Sequence, residues 1–169
     1  AFDPNAILNP GKIIDSPPMV ENLRLSPETQ YSPVPTYLDF SKEGGFAGAV
    51  ELCNGQGTCR KMDGMMCPSF MATREEEHST RGRANLLRVV LSGKLSAASL
   101  SDERLRQALD LCVECKGCKA ECSSGVDMAK LKAEVLTKYH EAHGIPIRSR
   151  IFAYFAFFGW VGNATAPFS

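Results

Sequence analysis

Seven cysteines carry the chemistry open to this chain. Cys112, Cys115, Cys118 and Cys122 follow the spacing C-x2-C-x2-C-x3-C. Three thiolates spaced two residues apart wrap a tight loop around three corners of an iron–sulfur cubane, with loop N–H groups aimed at the sulfides. Gly117 is expected to permit a backbone turn that a side chain would block. Zinc is the plainer alternative. It usually takes two C-x2-C hooks separated by about 12–20 residues. Four cysteines within eleven residues suit a cluster better. An odd number of clustered, Gly-spaced cysteines also argues against a secreted disulfide framework and for a reducing compartment.

The other three are less regular. Cys53 and Cys59 lie six apart, the distance between the first and third cysteines of C-x2-C-x2-C. The middle position falls on Gln56, a poor iron ligand. Cys67 precedes Pro68, as the fourth cysteine does in the ferredoxin pattern, where it ligates the other cluster of a pair. Two arrangements follow. In the crossed one, Cys67, Cys112, Cys115 and Cys118 hold a complete [4Fe–4S] cluster. Cys53, Cys59 and Cys122 then hold a second, one thiolate short: [3Fe–4S], or [4Fe–4S] with a non-cysteine ligand. In the uncrossed one, Cys112, Cys115, Cys118 and Cys122 share one cluster and Cys53, Cys59 and Cys67 form a weak site. Buried structural thiols are the third reading of the Cys53 group. Gly55, Gly57 and Gly64 weigh against it, because a plain apolar helix has no use for them.

Other side chains have double readings. Arg74, Arg81, Arg83 and Arg88 could set positive charge beside a cluster, or form a solvated face paired with Glu75, Glu76 and Glu77. Met62, Met65, Met66 and Met71 could shield a cluster or simply fill a core. His140 and His143 sit near a helix C-terminus, which favours imidazolium, and are expected to be solvated and not to bind metal.

These groups must be positioned by helices. Seven of the ten prolines lie in the first 35 residues, so residues 1 to about 38 should be extended with turns and little core. From about residue 45 the periodicity is helical. Gly45 to Leu52 is expected to form a short helix into Cys53. Thr73 to Glu76 has capping-box spacing. Arg83 to Leu91 places Ala84, Leu87, Val90 and Leu91 at helical intervals before Gly93. Ser101 is the expected N-cap of a helix whose face is Leu105, Ala108, Leu109 and then Cys112. Asp127 to His143 follows, with Met128, Leu131, Val135, Tyr139 and Ala142 on one face and Gly144 as its stop. A last helix is expected over Arg148 to Trp160. No alternating strand pattern persists after residue 45, so the fold class is mostly α.

Composition closes several routes. The 169 residues are 44% hydrophobic and 22% charged, and nineteen basic residues balance nineteen acidic ones. Zero net charge gives no cause to expect nucleic acid. No apolar run reaches the roughly 18–20 residues of a membrane span. The eleven-residue run Ile151 to Val161 is too short, and with only Arg148 and Arg150 before it, packing on another domain is preferred to a membrane surface. The start has neither a basic region nor an apolar stretch, so no signal peptide is expected. The first residue is Ala1, so the chain is expected to be cut from something longer.

The run from Glu51 to Gly93, ELCNGQGTCRKMDGMMCPSFMATREEEHSTRGRANLLRVVLSG, and the run LDLCVECKGCKAECSSGVDMAKLKAEVL resemble the ferredoxin-type segment of large FAD-linked oxidoreductases, the D-lactate, glycolate and D-2-hydroxyglutarate dehydrogenase group. Phe2 to Lys12 resembles the closing motif of the FAD-linked oxidase domain in that family. Family members often have Pro after the last cysteine of the second motif, where this chain has Ser123. That frees an N–H and loosens a turn without removing a ligand. The resemblance implies an α-helical, ferredoxin-like two-cluster domain at 45–145. It implies an extended Pro-rich tail of an upstream FAD domain at 1–44, and an apolar helix at 146–169 leading to a missing downstream cysteine-rich domain. It implies flavin oxidation of a 2-hydroxy acid with electrons leaving through the clusters to a quinone or another acceptor. This chain would be the wire, with no catalytic residue of its own. The implied location is the cytoplasm, with a peripheral position at the inner membrane face kept open. The alternatives are a non-redox structural or regulatory Fe–S or zinc module, and an iron–sulfur subunit of a quinone-linked complex similar to glycerol-3-phosphate dehydrogenase. The Phe2 to Lys12 motif weighs against the last.

Overall fold

The computed structural model describes residues 3–5, 7, 8, 10–12, 15–21, 23, 29–31, 33–93 and 100–166. Phe2, Ala6 and Asn9 of the N-terminal motif, Pro27, and residues 167–169 lie outside them. The chain divides into two units, Ala1–Tyr31 and Ser32–Ser169. In the first, the described residues form turns and none is buried. The Asp3 carboxylate accepts from the Ile7 and Leu8 amides at 2.9 and 2.8 Å, a local tie of the kind that short acidic side chains make in turns.

The second unit is all helical among the described residues. Its helices are α1 (Gly45–Glu51), α2 (Pro68–Thr73), α3 (Thr80–Leu91), α4 (Glu103–Asp110), α5 (Gly117–Glu121), α6 (Met128–His143), α7 (Ile147–Ala153) and α8 (Phe155–Thr165). Single 3-10 turns lie at Ser41–Glu43, Thr58–Arg60 and Glu76–His78. α3 packs against α1, α4 and α6. The expected apolar positions make that core: Ala84, Leu87, Val90 and Leu91 of α3, Leu105, Ala108 and Leu109 of α4, and Met128, Leu131 and Val135 of α6 are buried. The α6 face fades toward its end, where Tyr139 is half-buried and Ala142 exposed.

The extended segment ahead of α1 is strapped to α6 by Glu134. This carboxylate is buried and accepts from the backbone N–H of Tyr37 and Leu38 at 3.0 and 3.1 Å. Phe40 then meets Phe46 edge-on at 5.4 Å, closing the corner into α1.

Three local expectations are corrected. Thr73 is the last residue of α2 and caps nothing: its hydroxyl donates to the Ser69 carbonyl, and Arg74 ends the helix in the left-handed region. The cap that starts α3 is Ser79, whose hydroxyl accepts from the Gly82 amide at 2.9 Å. For α4 the cap is Asp102, not Ser101. Asp102 holds the extended backbone that a cap requires, and its carboxylate accepts from the Arg104 amide at 2.7 Å. The last expected helix is two, broken at Tyr154, and the second continues through Gly159 and Gly162 to Thr165. Every described residue of α7 and α8 is exposed, Phe152, Phe155 and Trp160 included. No helix among the described residues is long and apolar enough to cross a membrane.

Candidate metal centre

The α4–α5 connection carries three thiols to one cavity, with Cys118 buried, Cys112 half-buried and Cys115 exposed. α4 stops at Asp110, and the Cys112 amide bonds back to the Leu109 carbonyl at 3.0 Å, so the helix delivers Cys112 through its closing turn. Glu114 and Lys116 then take left-handed backbone conformations, with φ of 55° and 59°. Non-glycine residues pay for that conformation and hold it only where surrounding structure imposes it. Here Lys132 of α6 does so. It is buried, and its ammonium donates to the carbonyls of Cys112 and Asp110 and lies 3.5 Å from the Glu114 carboxylate.

Gly117 opens α5 in ordinary helical geometry, so the expected turn is not its role. A Cβ there would meet the Met65 carbonyl oxygen at 2.9 Å. The missing side chain lets the segment before Cys67 lie against α5. Glu121, at the other end of α5, fixes the same segment by accepting from the Met65 amide at 2.7 Å and pairing with Lys61 at 2.6 Å. Cys67 follows with φ 55° and starts α2, with Pro68 in its first turn.

This docking sorts the seven cysteines into two cavities. Cys67, Cys112, Cys115 and Cys118 line one, together with Thr80, Arg83 and Met128. Cys53, Cys59 and Cys122 line the other, with Gln56, Met66, Thr80 and Arg81. Cys118 and Cys122 part company because α5 ends at Glu121 and Cys122 leaves it in extended conformation. Gln56 is exposed at the second cavity, and its side-chain oxygen accepts from the Ser123 hydroxyl at 3.0 Å. Ser123 thus takes a partner where the sequence suggested only a looser turn. Among the described residues, no three His, Cys, Asp or Glu side chains are grouped to hold a single metal ion.

The α3 N-terminus divides the cavities. Thr80 lines both, and its amide donates to the Cys67 sulfur at 3.1 Å. The next amide, of Arg81, donates to the Cys59 sulfur at 3.3 Å. Helix N-termini have amides to spare and a dipole that favours negative charge, so both donors favour thiolate. Burial pushes the Cys59 and Cys118 thiols up; the Arg81 N–H opposes this at Cys59 and the Met128 N–H at Cys118. Burial outweighs those donors and favours the neutral thiol at both positions, and coordination to iron would turn them to thiolate. Thiolates that receive N–H donors and bind iron suit the cavities, so the residues fit an iron–sulfur group.

Of the candidate arginines, Arg81 pairs with Glu76 at 2.7 Å and Arg88 with Glu51 at 2.5 Å. Arg74 is exposed, and Arg83 is buried. Met66 and Met128 are the methionines that wall the cavities, while Met62 and Met65 are exposed. His143 stacks on Tyr139 with centroids 4.3 Å apart, and neither it nor His140 lines a cysteine cavity. The sequence reading missed Thr80, Lys132 and Glu121. Ser79 as a cap was the available signal for Thr80, because the residues after a cap carry the free amides.

The comparisons with known proteins agree with that fit. Residues 52–127 match the family of 4Fe-4S dicluster domains. That span contains all seven cysteines, and the dicluster domain accounts for two cysteine-lined cavities in one helical body. The chain is 31% identical over 182 residues to the D-2-hydroxyglutarate dehydrogenase of Pseudomonas putida, covering 88% of this chain and 18% of that protein. It is 28% identical to the protein of the same name from Pantoea ananatis, covering 90% of this chain and again 18% of the relative. A probable glycolate oxidase iron–sulfur subunit of Bacillus subtilis is 33% identical over 76 residues, 44% of this chain and 16% of that protein. The chain thus spans under a fifth of the length of these curated relatives. No solved structure matches it significantly.

Proposed function

We propose that this chain is the electron-transfer segment of a larger FAD-linked 2-hydroxy acid dehydrogenase. The observation that carries the reading is the shared wall: Thr80 lines both cysteine cavities, so the two sites lie one residue apart. In this reading Cys67, Cys112, Cys115 and Cys118 hold a [4Fe–4S] cluster. Cys53, Cys59 and Cys122 hold the second, either [3Fe–4S] or [4Fe–4S] completed by a non-cysteine ligand. Bound clusters supply one-electron steps, which suit a reduced flavin that gives up electrons in pairs. The chain's own part is to hold sulfur and to shield its inner side from water. Met66 and Met128 wall the cavities with buried apolar atoms, and the Thr80 and Arg81 amides stabilise anionic sulfur.

The rest of the enzyme is assigned to sequence on either side. Residues 1–44 are the tail of an upstream flavin domain that holds the substrate. Residues 45–145 are the two-cluster body. Residues 146–169 lead to a downstream cysteine-rich domain, which covers the apolar faces of α7 and α8 and passes electrons to a quinone or another acceptor. The location proposed is the cytoplasm or the inner membrane face. The names of the relatives point to a 2-hydroxy acid such as D-2-hydroxyglutarate.

The test is anaerobic purification of the full-length protein, metal and sulfide analysis, and addition of D-2-hydroxyglutarate in an optical cell. A brown protein with about seven or eight irons per chain, bleached by the hydroxy acid as fully as by dithionite, is expected. Zinc without iron, or iron–sulfur absorption that no hydroxy acid bleaches, overturns the reading in favour of a structural module. A reading frame with no FAD domain upstream does the same.

A further inference from the structure

Among the described residues three cations are buried in the helical unit: Arg83 at 1% exposure, Arg88 at 3% and Lys132 at 7%. Two have a carboxylate. Arg88 pairs with Glu51, and Lys132 lies beside Glu114. Arg83 has none within 4 Å among the described residues. Its Nε donates to the Ala108 carbonyl at 3.2 Å and its Nη2 to the Ser69 hydroxyl at 3.1 Å. Ser69 in turn donates to the His78 carbonyl at 2.8 Å. Every partner is neutral.

A permanently charged guanidinium held this way is expensive. Hydrogen bonds to neutral oxygens engage two of its five N–H donors and leave its charge uncompensated in a low dielectric. Arg83 lines the cavity of Cys67, Cys112, Cys115 and Cys118. The second cavity differs. Its arginine, Arg81, is neutralised by Glu76 and half-exposed.

We infer that Arg83 is the built-in counter-ion of the four-cysteine cluster and raises its reduction potential. The inference rests on the proposed ligand set. Four thiolates outweigh the positive charge of an oxidised [4Fe–4S] core, so the bound group is anionic, and reduction adds one more negative charge. A fixed buried cation therefore stabilises the reduced form more than the oxidised form. Arg83 is a positioning and tuning residue that touches no reacting substrate. Arg81, already paired, tunes the other site weakly.

The experiment is a redox titration of the full-length protein, followed by EPR of the reduced four-cysteine cluster, on wild type, Arg83→Gln, Arg83→Met and Arg83→Lys. Glutamine keeps an amide donor for Ala108 or Ser69 and removes the charge. At the wild-type midpoint potential, the reduced-to-oxidised ratio is expected to fall about ten-fold or more in Arg83→Gln and Arg83→Met, a shift of about 59 mV for one electron. Arg83→Lys is expected to stay within about two-fold of wild type. An unchanged midpoint in either neutral variant, with wild-type iron content, overturns the inference and leaves the proposed function standing. If both neutral variants fail to load iron while Arg83→Lys loads it, the charge is needed for assembly and the inference holds. Failure of all three variants to load overturns it, because shape and not charge is then decisive. An iron-free wild type removes the proposed function and the inference together.

Discussion

Replacing Gly117 with Ala sets two effects of opposite sign against each other. α5 begins at Gly117 with no left-handed strain, so on helix propensity alone alanine is favoured by up to about 1 kcal/mol. The added methyl would stand 2.9 Å from the Met65 carbonyl oxygen, 3.3 Å from its carbon and 3.4 Å from the Met66 Cα. All three are backbone atoms and cannot rotate away. The Glu121 ties to Met65 and Lys61 hold that segment in place. Overpacking of this kind costs about 1–3 kcal/mol, so the net expectation is a loss of roughly 1–2 kcal/mol. The strain falls where the Cys67 segment meets the Cys112–Cys118 segment, and it is relieved when the two separate. Iron loss from the four-cysteine site to a chelator should therefore quicken about 5–30-fold. The assay is chelator challenge of the anaerobic full-length protein, with the reduced four-cysteine cluster followed by EPR. Loss at the wild-type rate or slower would refute the claim that Gly117 is there for close approach.

Gln56→Cys places a thiol at the corner of the second cavity where Gln56 now bonds Ser123. If the native site is [3Fe–4S], the oxidised EPR signal should vanish and iron rise by one per chain; a native protein already silent when oxidised and holding eight irons would sink that assignment. Glu103 ties α4 to α6 through Tyr139, and Arg106, then the Tyr139 hydroxyl and the Gln107 amide, hold its carboxyl down from 4.5 to about 2. A lowered carboxyl stabilises the fold fully above its unfolded value and less as pH falls through its folded value. The urea-midpoint gap between wild type and Glu103→Gln should thus be full above pH 4.5 and close toward about pH 2; a gap independent of pH would count against it. Glu134→Ala removes the acceptor for the Tyr37 and Leu38 amides; hydrogen exchange at both should accelerate and stability fall by about 1 kcal/mol. Unchanged protection there would show that the strap is held by other contacts.

The sequence alone carried the helical fold and singled out the seven cysteines as the candidate ligands, because both are local properties. Apolar intervals of three and four residues place Ala84, Leu87, Val90 and Leu91 on one face whatever the neighbours are. The spacing of Cys112, Cys115 and Cys118 likewise fits one loop around one group. The caps were half legible. Ser79, Asp102 and Thr73 all have the right chemistry, and only the backbone conformation selects two of them. The partition of the seven cysteines was left open between crossed and uncrossed sets, since no local rule says which face Cys122 takes on leaving α5. Tertiary structure decided the neighbours. It set the Cys67 segment against Gly117, gave the Thr80 and Arg81 amides to different cavities, and sent Cys122 to the side of Cys53 and Cys59. Arg83 makes the same point from the charge side. In the sequence it is one of several arginines near glutamates. Only the packing of α3 against α4 buries it without an acid among the described residues, because the Ala108 carbonyl and Ser69 reach it and no described carboxylate does. Spacing along a chain fixes what one segment can bind. The meeting of segments far apart in sequence depends on which side chains are missing, as at Gly117, and on where buried charge finds its balance.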